Sequence, residues 1–365
     1  MKALLVAGAR PNFMKIAPIY AAMRKNGHEV TLVHTGQHYD PMMSDTFFTE
    51  LGIPKPNWYL GVGGGSQTTQ LAKVLTGLEP ILLETRPDWV IVVGDVTSTL
   101  GAALVTAKLK PAIGSRLAHV EAGLRSNDWR MPEEVNRVLT DRIADLLLTP
   151  SPDAAENLAA EGIAGSKVVF VGNVMIDTLL AQLEKGGGLD VAKRLGFGDK
   201  SYALLTLHRP SNVDDPGSLR TIMQGIERIA RTLPVVFPVH PRTRVHISGL
   251  SDFSMPASIM LIDPASYAEM VSLTRGAALV LTDSGGLQEE TTVLGVPCVT
   301  LREQTERPIT VTEGTNRLVD WPPSPEGIEA AANEALADRS RSVPRRPAGW
   351  DGQAAHRIAI ALEGA

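Results

Sequence analysis

Short runs of β-branched and aliphatic residues alternate with longer amphipathic segments along the whole chain, and this alternation constrains the fold more than any single residue does. A strand, a helix and a second strand close into a right-handed crossover, so many such units in series build mainly parallel sheets covered by helices. The spacing predicts strands at 3–7, 29–34, 88–94, 116–120, 146–149 and 167–171, enough for one sheet. A helix-like stretch at 173–184 and the break Gly186-Gly187-Gly188 follow. A second series then begins, with strands at 202–207, 235–239, 259–262, 278–282 and 297–301. Two domains are expected, 1–172 and 173–350, in keeping with a chain of 365 residues. A segment rich in Arg and Pro at 340–350 precedes a last helix-like stretch at 352–363, free by periodicity to dock on either half.

Composition removes several function classes. With 44% hydrophobic and 21% charged residues the chain can bury a core, which excludes a disordered or fibrous protein. Lys plus Arg number 35 against 40 Asp plus Glu, a net charge of -5, so nucleic acid is not an expected partner and any phosphate site must be local. Cys298 is the single cysteine, which excludes an internal disulfide framework, a Cys-based zinc cluster and an iron-sulfur centre. The opening apolar run is cut short by Arg10 and Pro11 and reads as a strand, not a signal peptide. No stretch approaches the roughly 18 apolar residues of a membrane span. A cytoplasmic protein without membrane partners is the expectation.

In open parallel sheets ligands sit beyond the carboxyl ends of the strands, and two such sheets facing each other would form a cleft. The first strand runs into Gly8-Ala9-Arg10-Pro11, which lacks the second glycine of a dinucleotide fingerprint. Arg10 and Lys15 instead bring two cations to a strand-to-helix turn, either as an anion site or as solvated turn charges. Gly94-Asp95 follows the third strand, where Asp95 is a helix cap or a functional carboxylate. His119-Val120-Glu121 ends the next strand without the paired cysteines that a zinc deaminase needs. Pro132-Glu133-Glu134 opens a helix, whose dipole alone would favour both carboxylates. Three carboxylate positions converging on successive strand ends exceed what capping requires. In the second half, His208 and His240 end strands, and Asp283-Ser284-Gly285-Gly286 offers a small-residue turn into a helix carrying Glu290. Such a turn lets a diphosphate approach backbone amides, with Glu290 placed for a ribose hydroxyl pair. Arg307 supplies another cation beyond the last strand. The phosphate loop GxxxxGK[ST], the GxSxG elbow and the HExxH helix are all absent, and the eight histidines show no metal-ligand spacing. The segment 61–65 reads as a loop able to close over a ligand.

In order, Gly8-Ala9-Arg10-Pro11 with Lys15 and Pro18, Thr35-Gly36-Gln37-His38, Gly94-Asp95 with Thr97 and Ser98, and His119 to Arg125 resemble one family. Pro132-Glu133-Glu134 with Asn136 and Arg137, Gly172-Asn173, His208-Arg209, Pro238-Val239-His240-Pro241, 283–290 and Thr305-Glu306-Arg307-Pro308 continue the same series. The family is the non-hydrolysing UDP-N-acetylglucosamine 2-epimerases. The resemblance implies a GT-B fold, with two Rossmann-like domains, UDP on the second and the C-terminal helix crossing back to the first. It implies reversible conversion of UDP-N-acetylglucosamine to UDP-N-acetylmannosamine with no metal or redox cofactor, in a homodimer. Carried onto this chain, the family roles make Asp95, Glu121, Glu133 and His208 catalytic. Arg10, Lys15, Asp95, Glu121, His208, Ser284, Gly285, Gly286, Glu290 and Arg307 would bind the UDP-sugar.

The chemistry accounts for this residue set. No ketone acidifies the sugar C2 hydrogen, so departure of UDP from C1 must accompany its removal and leave 2-acetamidoglucal. Cations and helix amides would stabilise the departing diphosphate while a carboxylate takes the proton. Individual proton transfers are not assigned to individual carboxylates. Ala265 and Met270 stand where many relatives carry an amide and an aromatic near the uracil. Gln37 and Arg209 match an activator site for a second UDP-N-acetylglucosamine, whereas Asp40 and Lys73 replace a glutamine and an arginine of that site. Competing readings are a GT-B glycosyltransferase, a 2-epimerase of a related sugar such as the 2,3-diacetamido uronate, and a nucleotide-sugar sensor without activity. Retention of the carboxylates argues against the sensor.

Overall fold

The computed structural model describes residues 1–37, 45–185, 190–250, 253–338 and 340–365, so His38, Asp40 and the glycine break at 186–188 lie outside the described residues. The chain divides into two compact units, Met1–Thr178 with Ala348–Ala365, and Leu179–Pro347. Unit 1 contains β1 (Lys2–Ala7), β2 (Glu29–His34), β3 (Trp58–Tyr59), β4 (Trp89–Val93), β5 (Arg116–Val120), β6 (Leu146–Thr149) and β7 (Val168–Phe170). They form one parallel sheet in the order β3-β2-β1-β4-β5-β6-β7. Strand side chains alternate between faces, and here both faces are covered. Leu5, Ile91 and Ala118 enter one core, while Leu4, Val90, Val92 and Leu117 enter the other. This is why Trp89-Val90-Ile91-Val92-Val93 is apolar throughout.

Unit 2 contains β8 (Ala203–Thr206), β9 (Val235–Pro238), β10 (Ile259–Ile262), β11 (Leu279–Thr282), β12 (Cys298–Thr300) and β13 (Asn316–Leu318). Their parallel order is β10-β9-β8-β11-β12-β13. The helices Pro216–Ala230 and Pro325–Ala337 pack closely because Gly225 is bare. A Cβ there would lie 2.9 Å from the Ile328 Cβ. Strand order reverses between β1 and β4 in unit 1 and between β8 and β11 in unit 2. Each reversal separates the two flanking crossover connections and opens a crevice at the carboxyl ends of the strands. The strands β3 and β13 fall outside the set expected from sequence, because two and three residues are too few to show a period.

The first unit extends past 172 because the start of the helix Val174–Glu184 is tied to it. The Thr178 hydroxyl donates to the Met14 carbonyl at 2.6 Å. The Asp177 carboxylate accepts from the backbone N–H groups of Ala354 and Ala355, at 3.1 and 2.7 Å. Those amides open the helix Ala354–Gly364, whose own cap position, Gln353, provides no side-chain bond. Asp177 therefore caps a helix 177 residues away. Burial pushes its carboxyl up to about 6, against the two amides that draw it down. Ile358 and Leu362 of the capped helix enter the same core as Phe13 and Ile16. Trp350 is buried, its indole donating to the Pro150 carbonyl at 3.3 Å, which places 348–350 with unit 1. Among the described residues no helix is long and apolar enough to cross a membrane.

Replacing the cap tests this arrangement. Asp177→Ala is expected to destabilise unit 1 by about 1–2 kcal/mol, the usual range for losing a cap. Amide exchange at Ala354 and Ala355 should accelerate with it, and unchanged protection at both would show that the carboxylate does not hold the helix.

Candidate functional site

The site residues of unit 1 gather at its switch point. Lys15, in the helix Arg10–Lys25 that follows β1, forms a buried ion pair with Glu121, which follows β5. Between them runs the turn after β4. A Cβ on Gly94 would sit 3.1 Å from the Lys15 Nζ and 3.3 Å from the Glu121 Oε2, and its φ of 65° is left-handed, so glycine suits both space and conformation. Glu121 also has a left-handed φ, 68°. For a residue with a Cβ this costs of order 1–3 kcal/mol and persists where the surroundings enforce it. The enforcing contacts are in the structure: Glu121 and Ala122 both donate their N–H groups to the Leu148 carbonyl.

A second layer fixes these groups. The His119 ring donates from Nε2 to the Gly94 carbonyl at 2.7 Å and from Nδ1 to Asp141 at 2.6 Å. Asp141 accepts also from the Gly123 N–H and from Arg125, at 3.0 and 2.7 Å. Burial works against its charge, but the His119 ring and the Arg125 guanidinium hold its carboxyl below the ordinary range. Asp95 is not a helix cap. The cap position of the following helix is Val96, and the Asp95 carboxylate pairs instead with Arg137. Asn136 donates to the Asp95 carbonyl at 2.9 Å. Glu133, half-buried, stands four residues before Arg137 in the helix Pro132–Ile143, a spacing that puts both on one face. Glu134 is occupied differently: it accepts from Ser126 N and Oγ, Asn127 N and Arg137, all at 2.6–3.0 Å.

The turn after β1 differs from a simple anion cradle. Asn12 Oδ1 accepts the N–H groups of Gly8 and Ala9 at 3.2 and 3.0 Å, so these two amides are already committed. Arg10 lies over the Phe47 ring at 5.5 Å. The Gln37 Oε1 accepts from the N–H and hydroxyl of Ser98 at 2.9 and 2.7 Å.

In unit 2 the site residues again flank the switch point. Asp283, fully buried after β11, accepts from the His208 Nδ1 at 2.8 Å and from the backbone N–H groups of His208 and Arg209. Burial opposes its charge, but His208 and those amides hold the carboxyl low. The imidazole is thereby oriented with Nε2 remaining for a ligand. Arg209 donates to the Asp283 carbonyl at 3.2 Å. His240 is a helix cap, accepting from the Arg242 N–H. Ser284 occupies the cap position of the helix Gly285–Leu294 but makes no capping bond, which leaves the first helical amides without a side-chain acceptor. Arg307 lies across this turn: a Cβ on Gly285 would be 2.5 Å from its Nη1. Its guanidinium donates to Glu289 at 2.7 Å and to Glu306 at 2.5 Å. Gln288 fastens the same loop by accepting from Thr305 and Asn316 at 2.7 and 3.0 Å. Glu290, five residues beyond Gly285, accepts from the Tyr267 hydroxyl at 3.0 Å. Burial raises its carboxyl to about 7, Tyr267 opposes that rise and neighbouring Glu289 adds to it. Ala265 and Met270 pack partly buried against the apolar cluster of Tyr202 and Val280.

Among the described residues no group of three or more His, Cys, Asp or Glu side chains is arranged to hold a metal ion. Sequence reasoning singled out every residue in the ion pair and the helix turn, but gave no supporting role to Asp141, Asn12, Asp283 or Glu289. Their partners lie on other strands and helices, and no local period marks them.

Two Rossmann-like parallel-sheet units in one chain, each with its polar side chains at a switch point, define the GT-B class of α/β enzymes. A sequence model of the UDP-N-acetylglucosamine 2-epimerase family matches residues 21–363. The UDP-N-acetylglucosamine 2-epimerase of Methanocaldococcus jannaschii is 42% identical over 87% of this chain and 88% of its own. The UDP-2,3-diacetamido-2,3-dideoxy-D-glucuronate 2-epimerase of Pseudomonas aeruginosa is 40% identical over 97% of this chain and 95% of its own. A crystal structure of the Methanocaldococcus jannaschii UDP-GlcNAc 2-epimerase in complex with UDP-GlcNAc and UDP superposes with a TM-score of 0.91 at 39% identity, over the full length of both chains. The chain belongs to the UDP-N-acetylglucosamine 2-epimerase family, and so to the isomerases.

Glu290 gives the site a measurable pH signature. A carboxyl near 7 in the folded state and near 4.5 when unfolded keeps its proton longer when folded. Its contribution to stability therefore falls as pH rises from about 4.5 to 7 and is level above that. Glu290→Gln should melt progressively higher than the parent across that window, with a constant difference at pH 8. A difference independent of pH would contradict the buried-carboxyl account.

Proposed function

We propose that this protein interconverts UDP-N-acetylglucosamine and UDP-N-acetylmannosamine by elimination and re-addition of UDP. The observation that carries the reading is the buried Lys15–Glu121 pair at the unit 1 switch point, with Glu121 held in a left-handed backbone beside Asp95 and its Arg137. A carboxylate so fixed is suited to proton transfer at carbon, a contribution of roughly 100- to 10,000-fold for a well-placed base. One carboxylate among Glu121, Asp95 and Glu133 takes the C2 proton as the C1–O bond breaks. The electron pair of the C–H bond becomes the C1–C2 double bond, and UDP leaves with the electrons of the C–O bond. Return of UDP to C1, with a proton delivered to the opposite face of C2, completes the inversion. Atoms and electrons balance without a redox partner.

In unit 2 the amides after Ser284, which have no side-chain cap, and the His208 Nε2 receive the diphosphate, with Arg307 contributing positive charge; Arg10 and Lys15 belong to the same proposed set of UDP-sugar-binding residues. Arg307 also keeps the Gly285 turn in shape. Glu290 accepts the ribose hydroxyls when ionised. Homodimerisation, a cytoplasmic location and activation by a second UDP-N-acetylglucosamine belong to the same proposal.

A second substrate is favoured by a specific observation, the 40% identity to an epimerase of a 2,3-diacetamido uronate. Turnover of a panel containing both UDP-sugars separates the two, and interconversion without any acceptor separates either from glycosyl transfer.

Asp95→Asn and Glu121→Gln are each expected to lower turnover by at least about 100-fold while UDP binding is retained. In deuterium oxide the parent should place solvent deuterium at C2 of the product. Product formed without deuterium would rule out the elimination route, and near-normal turnover of either variant would remove that residue from the mechanism.

A further inference from the structure

The arginine- and proline-rich segment at the end of unit 2 has no part in the chemistry above, yet its side chains are gathered. Arg341, Arg345 and Arg346 line one cavity of about 370 Å³ together with Thr312, Glu313 and Gly314. The backbone that carries them is fixed. Arg345 donates its N–H to the Thr292 carbonyl at 3.0 Å. A Cβ on Gly295, whose φ is 70°, would fall 2.4 Å from the Pro344 nitrogen, and one on Gly314 would fall 2.3 Å from the Thr292 hydroxyl.

The charge of this cavity is poorly compensated. Asp338, the carboxylate closest to Arg341, is held by Arg317 at 2.6 Å and by the Ser340 hydroxyl at 2.5 Å, and lies 3.9 Å from the Arg341 Nε. Arg341 and Arg345 otherwise donate to the carbonyls of Asn316 and Ser340, at 3.4 and 2.9 Å. Arg346 makes no hydrogen bond or ion pair among the described residues. Three guanidinium groups thus share a concavity with one carboxylate, that of exposed Glu313. The cavity also stands apart from the catalytic rim. Residues 312–314 lead into the amino end of β13, and 345 rests on the last turn of the helix Gly285–Leu294, whereas His208 and Ser284 follow the carboxyl ends of their strands.

We propose that this cavity is a binding site for a small phosphate-bearing anion, separate from the UDP-sugar site. The guanidinium fork matches phosphate oxygens in pairs, which accounts for arginine rather than lysine at all three positions. A concavity of this volume holds a phosphoryl or diphosphoryl group with a small appended body, whereas a membrane surface would call for a flat or convex basic face.

The test titrates inorganic pyrophosphate into the full chain by calorimetry, with UDP present at saturation so that the nucleotide site is blocked and ionic strength held constant with chloride. Saturable binding is expected in the parent, weakened about tenfold or more in Arg345→Gln/Arg346→Gln. Both arginines are exposed, so that double variant should melt with the parent and retain its epimerase turnover. Absence of saturable binding in the parent would overturn the proposal, as would equal affinity in the double variant. Arginine-dependent binding to phosphatidylglycerol vesicles without pyrophosphate binding would overturn it in favour of a membrane contact.

Discussion

The ion pair between Lys15 and Glu121 is the interaction on which the rest of unit 1 is arranged. Two opposite charges taken out of water are tolerated only when geometry and further polar contacts hold them, and removal of one partner typically costs about 3–5 kcal/mol. The fold meets that demand with three successive strand ends. The helix after β1 presents the ammonium, the turn after β5 presents the carboxylate, and the turn after β4 lies between them with no side chain at Gly94. His119 then fixes the Gly94 carbonyl, Asp141 fixes His119, and Arg125 fixes Asp141. The left-handed Glu121 is where this chain of contacts concentrates its strain.

Unit 2 applies the same principle with other residues. Buried Asp283 orients His208 from below, as Asp141 does His119, but here the ring is mostly exposed and presents its second nitrogen. The turn after β11 carries no side-chain cap from Ser284, and Gly285 lets Arg307 lie against it. Arg307 is in turn held by Glu289 and Glu306, so its position is preset. Preset donors are what stabilise a developing diphosphate charge without reorganisation.

Much of this was legible in the sequence, for identifiable reasons. Strands buried on both faces are nearly unbroken apolar runs, so β1, β4, β6 and β11 stand out, whereas β3 and β13 are too short to carry a pattern. The rule that ligands lie beyond strand ends led to Lys15, Asp95, Glu121, His208 and Ser284 without coordinates. What sequence could not resolve was division of labour among like residues. Glu133 and Glu134 are neighbours in one helix turn, but only Glu134 is consumed by Ser126, Asn127 and Arg137. The turn after β1 likewise reads as an anion cradle until Asn12 is seen to occupy the amides of Gly8 and Ala9. The extent of unit 1 depended on Asp177, whose partners lie at the far end of the chain.

The central claim of the proposed function is that Lys15 and Glu121, paired in the fold, act as one unit in the epimerisation. A double-mutant cycle on turnover, using Lys15→Met, Glu121→Gln and both together, tests it directly. The account predicts that the double variant is no slower than the slower single variant. Losses that multiply, with each substitution retaining its full effect in the presence of the other, would contradict it.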